Sequence, residues 1–384
     1  MKLETIQYLD KKGWSVQTFP ELDSENTLIL IFSSPQFVNN AAPIQELVKH
    51  YPQSKIIGCS SAGEIAGAKI NDNSLSVAIA RFEKTKLQLA QYTIDVSIDS
   101  FKAGESLAKQ LDKNDLKGIF VLSDGLNVNG SELARGLNTI NKPEVTVTGG
   151  LAADGKNFVS TWTIYEGKIV QNQIVAVGLY GNSVQIAHAS KGGWDIFGVE
   201  RRITRSKNNV LYTLDNQPAL QLYKEYLGER AAELPASGLL FPLAIREDAD
   251  SSKQLVRTIL SIDEKEQSLT FAGDMPNGYF AQLMRANFDR LITSASDAGE
   301  IANQRLFAND NHIKGPILAV AISCVGRRLV LGERTEEETE SLLNNLPKNS
   351  QQVGFYSYGE LSPHVMGTCD LHNQTMTLTI FSES

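Results

Sequence analysis

One heptad occurs twice at identical internal spacing: Gly58-Cys59-Ser60-Ser61-Ala62-Gly63-Glu64 and Gly354-Phe355-Tyr356-Ser357-Tyr358-Gly359-Glu360. Both open on Gly, carry Ser at the fourth position and close on Gly-Glu. Each follows a short β-type run, Lys55-Ile56-Ile57 or Gln352-Val353. The spacing therefore predicts a turn that leaves the carboxyl end of a strand and carries a carboxylate out with it, where α/β proteins gather ligands.

The surroundings repeat too. Upstream of the first turn, Leu28 to Phe32 reads as a buried strand, and Ala41, Ala42, Ile44, Leu47 and Val48 mark the inner face of a helix. Upstream of the second, Pro316 to Cys324 is the strand and Leu342, Leu343 and Leu346 line the helix, whose start is signed by Thr335 with Glu338 as a capping box. A degenerate third copy lies between them: Ile119 to Leu122, a helix begun at Asn129, then Val145 to Gly155, with Asp154 in place of the Glu. The pattern predicts an α/β (mixed α+β) fold of two domains, with mixed sheets built from repeated strand-helix-strand units.

A meander of strands follows at 164–165, 174–180, 184–190, 202–204 and 210–214. Pro218 to Leu227 reads as a helix stopped by Gly228. New strands come after it, at 239–245, 255–262 and 268–272, and then a long amphipathic helix with Phe288, Leu291, Ala295, Ala298 and Ala302 on one face. We place the first domain at 1–225, with a short extension at 1–26, and the second at 226–384.

With 384 residues, 42% of them hydrophobic, the chain can bury two sizeable cores. Net charge is −8 and no basic stripe is legible, which argues against a nucleic-acid partner. No apolar run reaches the roughly 20 residues of a membrane helix, and the start lacks a secretory apolar region, so a soluble, cytoplasmic protein is expected. Cys59, Cys324 and Cys369 are expected to be reduced thiols, and the Cys369/His372 pair alone does not close a metal site.

In the two turns, glycines let backbone amides approach a ligand; Ser60, Ser61 and Ser357 offer hydroxyls, Tyr356 and Tyr358 amphipathic surface, and Glu64 and Glu360 a partner for an amino group. These residues, with Cys59, form the candidate binding site for an amino-acid-like small molecule. The alternative is that the glycines only shape tight loops and each Glu caps amides. The run Gly58 to Ala62 is reminiscent of a nucleophile elbow, with Ser60 or Cys59 as the nucleophile of a hydrolase. The last Gly is replaced by Ala62, and no helix signal follows, so no enzyme is expected.

The pieces 56–65, 210–219, 273–287 and 353–361, in that order, resemble the paired FIST N and FIST C sensory domains. The runs 188–198, 220–243 and 369–377 are similar to the nitric-oxide-sensing NosP-type members of that family. The resemblance implies an intracellular sensor in signal transduction that binds a small-molecule or gaseous ligand. At its finest, it implies a haem-dependent nitric oxide sensor acting on a separate histidine kinase or other output protein. A haem iron needs an axial ligand in an apolar slot. His188, in period-2 phase with Val184 and Ile186, is the metal-ligating candidate, and Arg201 and Arg202 are the candidates for the propionates. His50 is read as a helix-end cation, His312 as solvated, His364 as within reach of the ligand space and His372 as structural. The oligomeric state is left open, a homo-oligomer included.

Overall fold

Strands Thr27–Ser33 and Lys55–Ser60 run parallel, joined by helix Ala42–His50, which buries Ile44 and Leu47 against them. Strand Ser74–Arg81 returns antiparallel beside the first, and Lys2–Leu9 flanks it. The same arrangement recurs twice in this computed structural model, which describes residues 1–94, 99–248, 254–309, 315–363 and 367–384. In the second unit Leu116–Ser123 and Thr146–Leu151 are the parallel pair, with Gln173–Tyr180 and Lys86–Thr93 beside them. In the third, Ile317–Cys324 and Ser350–Ser357 are the pair, with Met376–Glu383 and Val184–Lys191 beside them.

Each unit also sends a β-hairpin out of its own sheet and onto a neighbour's. The hairpin Glu64–Ala66/Lys69–Asn71 of the first unit adds to Ser350–Ser357 of the third. Thr163–Tyr165/Lys168–Val170 of the second adds to Lys55–Ser60 of the first. Gly359–Pro363/Cys369–His372 of the third adds to Thr146–Leu151 of the second. The exchange closes a ring of three mixed sheets, a pseudo-threefold arrangement. Their inner faces meet in one apolar core, where Phe32 stacks on Phe355 at 4.8 Å and Phe120 meets Phe381 edge-on at 5.9 Å.

A fourth sheet, of nine strands between Trp194 and Ala286, is inserted in the third unit and has its own apolar core around Leu211, Leu220, Ile245 and Phe271. Helix Ala219–Leu227 lies on it and ends at Gly228 with φ +57°, as the sequence predicts. The long helix Phe288–Asn309 buries Leu291, Ala295, Ala298 and Ala302, while Phe288 at its start is exposed. The mixed α/β class and the repeated strand-helix-strand units are as expected.

Three local expectations differ. Thr335 and Glu338 do not form a capping box: Arg334 takes the cap position, and the Glu338 carboxylate is buried against Arg327 at 2.5 Å. Asp154 is not the counterpart of the two glutamates. Glu64 sits opposite Phe355 and Glu360 opposite Gly150, and the residue of the middle unit at that place is Thr163, opposite Cys59. The expected strand at 239–245 begins only at Leu243, after the short 3-10 turn Ala236–Leu240.

Candidate functional site

The three turns interlock at the pseudo-threefold centre through backbone hydrogen bonds. Ala62 N–H donates to Tyr356 O (2.9 Å), Tyr358 N–H to Leu151 O (3.2 Å) and Ala153 N–H to Ser60 O (3.0 Å). Structurally equivalent positions thus close a ring, turn to turn. The opening glycines permit it. A Cβ on Gly354 would lie 1.8 Å from Ala321 O, one on Gly149 1.8 Å from Val121 O and one on Gly58 2.2 Å from Ile31 O. Here Gly supplies close approach of neighbouring strands.

Interlocking buries the candidate side chains. Cys59, Ser60, Ser61, Glu64, Tyr356, Ser357, Tyr358 and Glu360 are each at most 1% exposed. Most of their polar atoms are taken up by neighbouring side chains and backbone, though Glu64 Oε1 is buried without a hydrogen-bond partner. Ser34 and Ser74 donate to Glu64 Oε2 at 2.5 and 2.7 Å, and Ser357 and Thr375 donate to Glu360 at 2.6 and 2.8 Å. Burial outweighs these hydrogen bonds and raises both carboxyls to about 8. Tyr356 donates to Glu338 at 2.8 Å, and the Arg327 that pairs with Glu338 also reaches Leu291 O. Burial, with Glu64 second, pushes the Cys59 thiol well up, so no reactive thiolate stands there.

The middle turn reaches the surface. Asp154 accepts the amides of Phe158, Val159 and Ser160 at 2.8 to 3.0 Å, and Tyr358 donates its hydroxyl to the same carboxylate. This folds the loop after Asp154 so that Phe158, at φ +53°, stacks on Tyr358 with centroids 4.8 Å apart and 7° between planes. Phe158 then forms one wall of a cleft of about 770 Å³. The cleft lies beyond the carboxyl end of strand Leu116–Ser123, between the middle sheet and the inserted sheet, the position where open α/β sheets bind ligands.

Asn127, Asn129, Glu132 and Arg135 line one side of it, and Asn208, Asn209, Ser261 and Thr270 the other. Asn129 caps helix Gly130–Leu137, accepting from Ser131 and Glu132 N–H, and its amide nitrogen donates to Asp274 at 2.6 Å. The Glu132 carboxyl is raised by burial and then by Asp274, while Arg135 opposes the shift. Amides, hydroxyls, the Glu132–Arg135 ion pair and one aromatic wall suit a small polar ligand with hydrogen-bonding groups of both kinds. Sequence reasoning marks Asn129 and Asp154 but not this cleft, because its second wall comes from the inserted sheet about 80 to 140 residues away in sequence.

The haem candidates are not brought together around an apolar slot. Arg201 pairs with Asp215 at 3.1 Å and with the Tyr226 hydroxyl at 3.0 Å, and Arg202 lies over Phe280, both on the inserted sheet. His188 is half-buried on the edge strand Val184–Lys191, with Nδ1 3.3 Å from Arg305 Nη1 and 3.2 Å from Ser362 Oγ. A guanidinium only donates, so Nδ1 accepts and the ring proton sits on Nε2. Burial and Arg305 lower its pKa to about 4. Arg305 and Ser362 thus crowd Nδ1 of His188, while Arg201 and Arg202 are engaged within the inserted sheet, so the three candidates do not line one slot. His50 packs at a tilt against Phe19, with centroids 4.6 Å apart, and His372 is buried with Nε2 2.9 Å from Ser362 O. His312 and His364 lie outside the described residues. Among the described residues no group of three His, Cys, Asp or Glu side chains could hold a metal ion, and no helix is long and apolar enough to cross a membrane.

Residues 27–217 match the family model of the FIST N domain, and residues 219–363 that of the FIST C domain. FIST domains have a small-ligand sensing role in signalling. An uncharacterized protein of Methanocaldococcus jannaschii is similar, with 24% identity over 361 residues, 81% of this chain. The chain spans 65% of the length of that relative.

Proposed function

This chain belongs to the FIST family, and from that premise we propose that it senses a small polar molecule in the cleft between the middle sheet and the inserted sheet and passes the signal to a separate signalling protein, of which a histidine kinase is one kind. The observation that carries the reading is the composition of the cleft. It has walls from two separately cored bodies, and its hydrogen-bonding side chains surround one aromatic face. A ligand bridging the walls binds the closed arrangement better than the open one, and that difference is what a sensor needs to shift a population.

Amino-acid-like molecules match the lining. Glu132 receives an ammonium group, the asparagine amides receive a carboxylate, and Phe158 packs against an apolar side chain. We adopt this haem-free reading over the haem one because Arg305 and Ser362 crowd Nδ1 of His188 and the arginine candidates are engaged within the inserted sheet.

The test is a melting-temperature screen of the protein against amino acids, amines and polyols, repeated with Glu132→Gln and Phe158→Ala. A ligand at about 100 times its Kd adds roughly 2.7 kcal/mol, a shift the screen resolves. The reading requires at least one compound to stabilise the protein and both variants to weaken the effect. A stabilising compound that both variants bind as well as the parent protein would place the site elsewhere.

A further inference from the structure

A second cavity, of about 230 Å³, lies between the edge strand Leu255–Arg257 of the inserted sheet and the exchanged hairpin strand Cys369–His372. The link from Ser190 to Trp194, through which the chain enters the inserted sheet, forms its third side. The space is that of roughly seven waters, enough for a ring or a branched chain with one polar group. Trp194, Leu255, Val256, Met284 and Leu371 supply apolar walls. Trp194 spends its indole N–H on Gln374 O at 3.0 Å, and the polar lining is engaged as well: Ser190 meets Thr377 at 2.8 Å, Thr375 donates to Glu360 at 2.8 Å and Asn373 donates to Tyr358 O at 3.1 Å.

The charge around this cavity has one sign. Lys191 lines it, no Asp or Glu does, and among the described residues no carboxylate pairs with Lys191. Against Val256 and Leu371 lies Arg257, only 2% exposed, whose guanidinium donates to both of their carbonyl oxygens, at 3.1 and 3.2 Å. Among the described residues no carboxylate stands within ion-pair distance of it, and Asp370 and Asp274 act on it from further away. A buried cation that is hydrogen-bonded but not paired leaves a positive potential in the space beside it. The carboxyl that Thr375 reaches, Glu360, is raised to about 8 by burial and is mostly neutral at pH 7. Arg327, which donates to Gly192 O, is balanced by Glu338.

We propose that this cavity is a second ligand site, for a small organic anion with an apolar body: a monocarboxylate whose charged end meets Lys191 and whose ring or branched chain lies against Trp194, Leu255 and Met284. Apolar walls with a few convergent polar groups are the usual make-up of a small-molecule site. The single sign of charge excludes an amine here, whereas the cleft is lined by Glu132 and Arg135 together. The position gives the site its consequence. Its ligand touches the link Gly192-Gly193, with Gly193 at φ +97°, and a strand on either side, so it bears on how the inserted sheet is held to the rest of the chain. The inference goes beyond the sensor reading and does not rest on the cleft.

The test is a ligand-detected NMR titration of the full chain with phenylacetate and 4-methylpentanoate, set against 2-phenylethylamine, which keeps the body and reverses the charge, and acetate, which keeps the charge alone. The two larger carboxylates are expected to bind at least about tenfold more tightly than the amine or acetate. Lys191→Gln should weaken them about tenfold and Lys191→Arg should restore them, at an unchanged melting temperature because Lys191 is exposed. Leu255→Trp, which fills the cavity, should remove binding; if that variant does not fold, Lys191→Gln decides. Glu132→Gln and Phe158→Ala should leave both affinities as they are, so a failed cavity and a failed cleft give different results. Binding of neither larger carboxylate overturns the proposal, as does an amine that binds equally well. So does an affinity that Lys191→Gln leaves unchanged.

Discussion

Tyr356 N–H donates to Gly63 O at 3.0 Å, across 293 positions of sequence, while Tyr356 O accepts from Ala62 N–H at 2.9 Å. This reciprocal pair is one corner of the ring that joins three units, and it ties the start of the chain to its end. The two family-model segments, 27–217 and 219–363, therefore do not each contain complete sheets.

A fragment ending at residue 218 is expected not to fold cooperatively. It lacks the strand Ser350–Ser357 that the hairpin from Glu64 pairs with, and it lacks Gly359–Pro363 on the edge of the middle sheet. Phe32 also loses the Phe355 ring it stacks on. Urea unfolding of the fragment should give a shallow, non-sigmoidal transition, and adding the complementary fragment should restore a sharp one. A sharp transition of the fragment alone would show that the exchanged hairpins are dispensable.

Gly354→Ala should destabilise the protein by about 1 to 3 kcal/mol or more, because the new Cβ meets the Ala321 carbonyl oxygen at 1.8 Å and a parallel strand cannot move aside cheaply. Gly192→Ala is the control: its Cβ comes no nearer than 4.0 Å to another atom, and a change within about 0.5 kcal/mol is expected. Chemical denaturation compares the two. Equal midpoints would mean that the sheet relaxes around the added methyl.

The repeats, the helix caps at Asn129 and Gly228 and the glycines of the turns were legible because they depend on local spacing. The exchange of hairpins was not: the residues after Glu64 carry no mark saying which sheet they will join. The burial of Glu64 and Glu360 follows from that exchange, since each lands between two units with hydroxyls waiting for it. The middle unit shows the limit of reading by alignment. Asp154 looks like a third acidic residue, yet its carboxylate folds a loop while Thr163 takes the equivalent place. The cleft needed the inserted sheet to be placed, and no periodicity encodes that.

Arg327 and Glu338 are both fully buried, and the guanidinium also donates to Leu291 O at 2.8 Å, linking helix Thr335–Leu343 to helix Phe288–Asn309. Glu338→Gln or Arg327→Met alone should cost roughly 3 to 5 kcal/mol, because each leaves a charge buried without its partner. Arg327→Met with Glu338→Gln should cost less than the sum of the two. A double-mutant cycle by urea denaturation measures the coupling, and additive losses would mean that the two side chains act independently.

Glu64 and Glu360 make stability depend on pH with a definite sign. In the fold each carboxyl is raised from 4.5 to about 8 by burial, so the fold prefers the neutral acid. Their contribution is fully present below the unfolded value of 4.5 and is lost as pH rises through about 8. Glu64→Gln with Glu360→Gln should flatten the fall in stability across that window. Midpoints of urea unfolding across the same pH range give the slope, and an unchanged slope in the double variant would assign the dependence to other groups.

His188 supplies the decisive comparison between the haem and haem-free readings. Its ring is lowered to about 4 by burial and then by Arg305, so it is neutral at pH 7, and Nδ1 has the Arg305 guanidinium at 3.3 Å and the Ser362 hydroxyl at 3.2 Å. A guanidinium donating to Nδ1 favours the proton on Nε2, and nitrogen-15 shifts of the imidazole should report that tautomer down to about pH 5. Reconstitution with ferrous haem should then give no sharp Soret band that depends on His188, and His188→Ala should leave the spectrum as it was. A sharp band that moves on adding nitric oxide and vanishes in His188→Ala would mean that Arg305 and Ser362 give way to let iron bind, and the nitric oxide reading would replace the one adopted above.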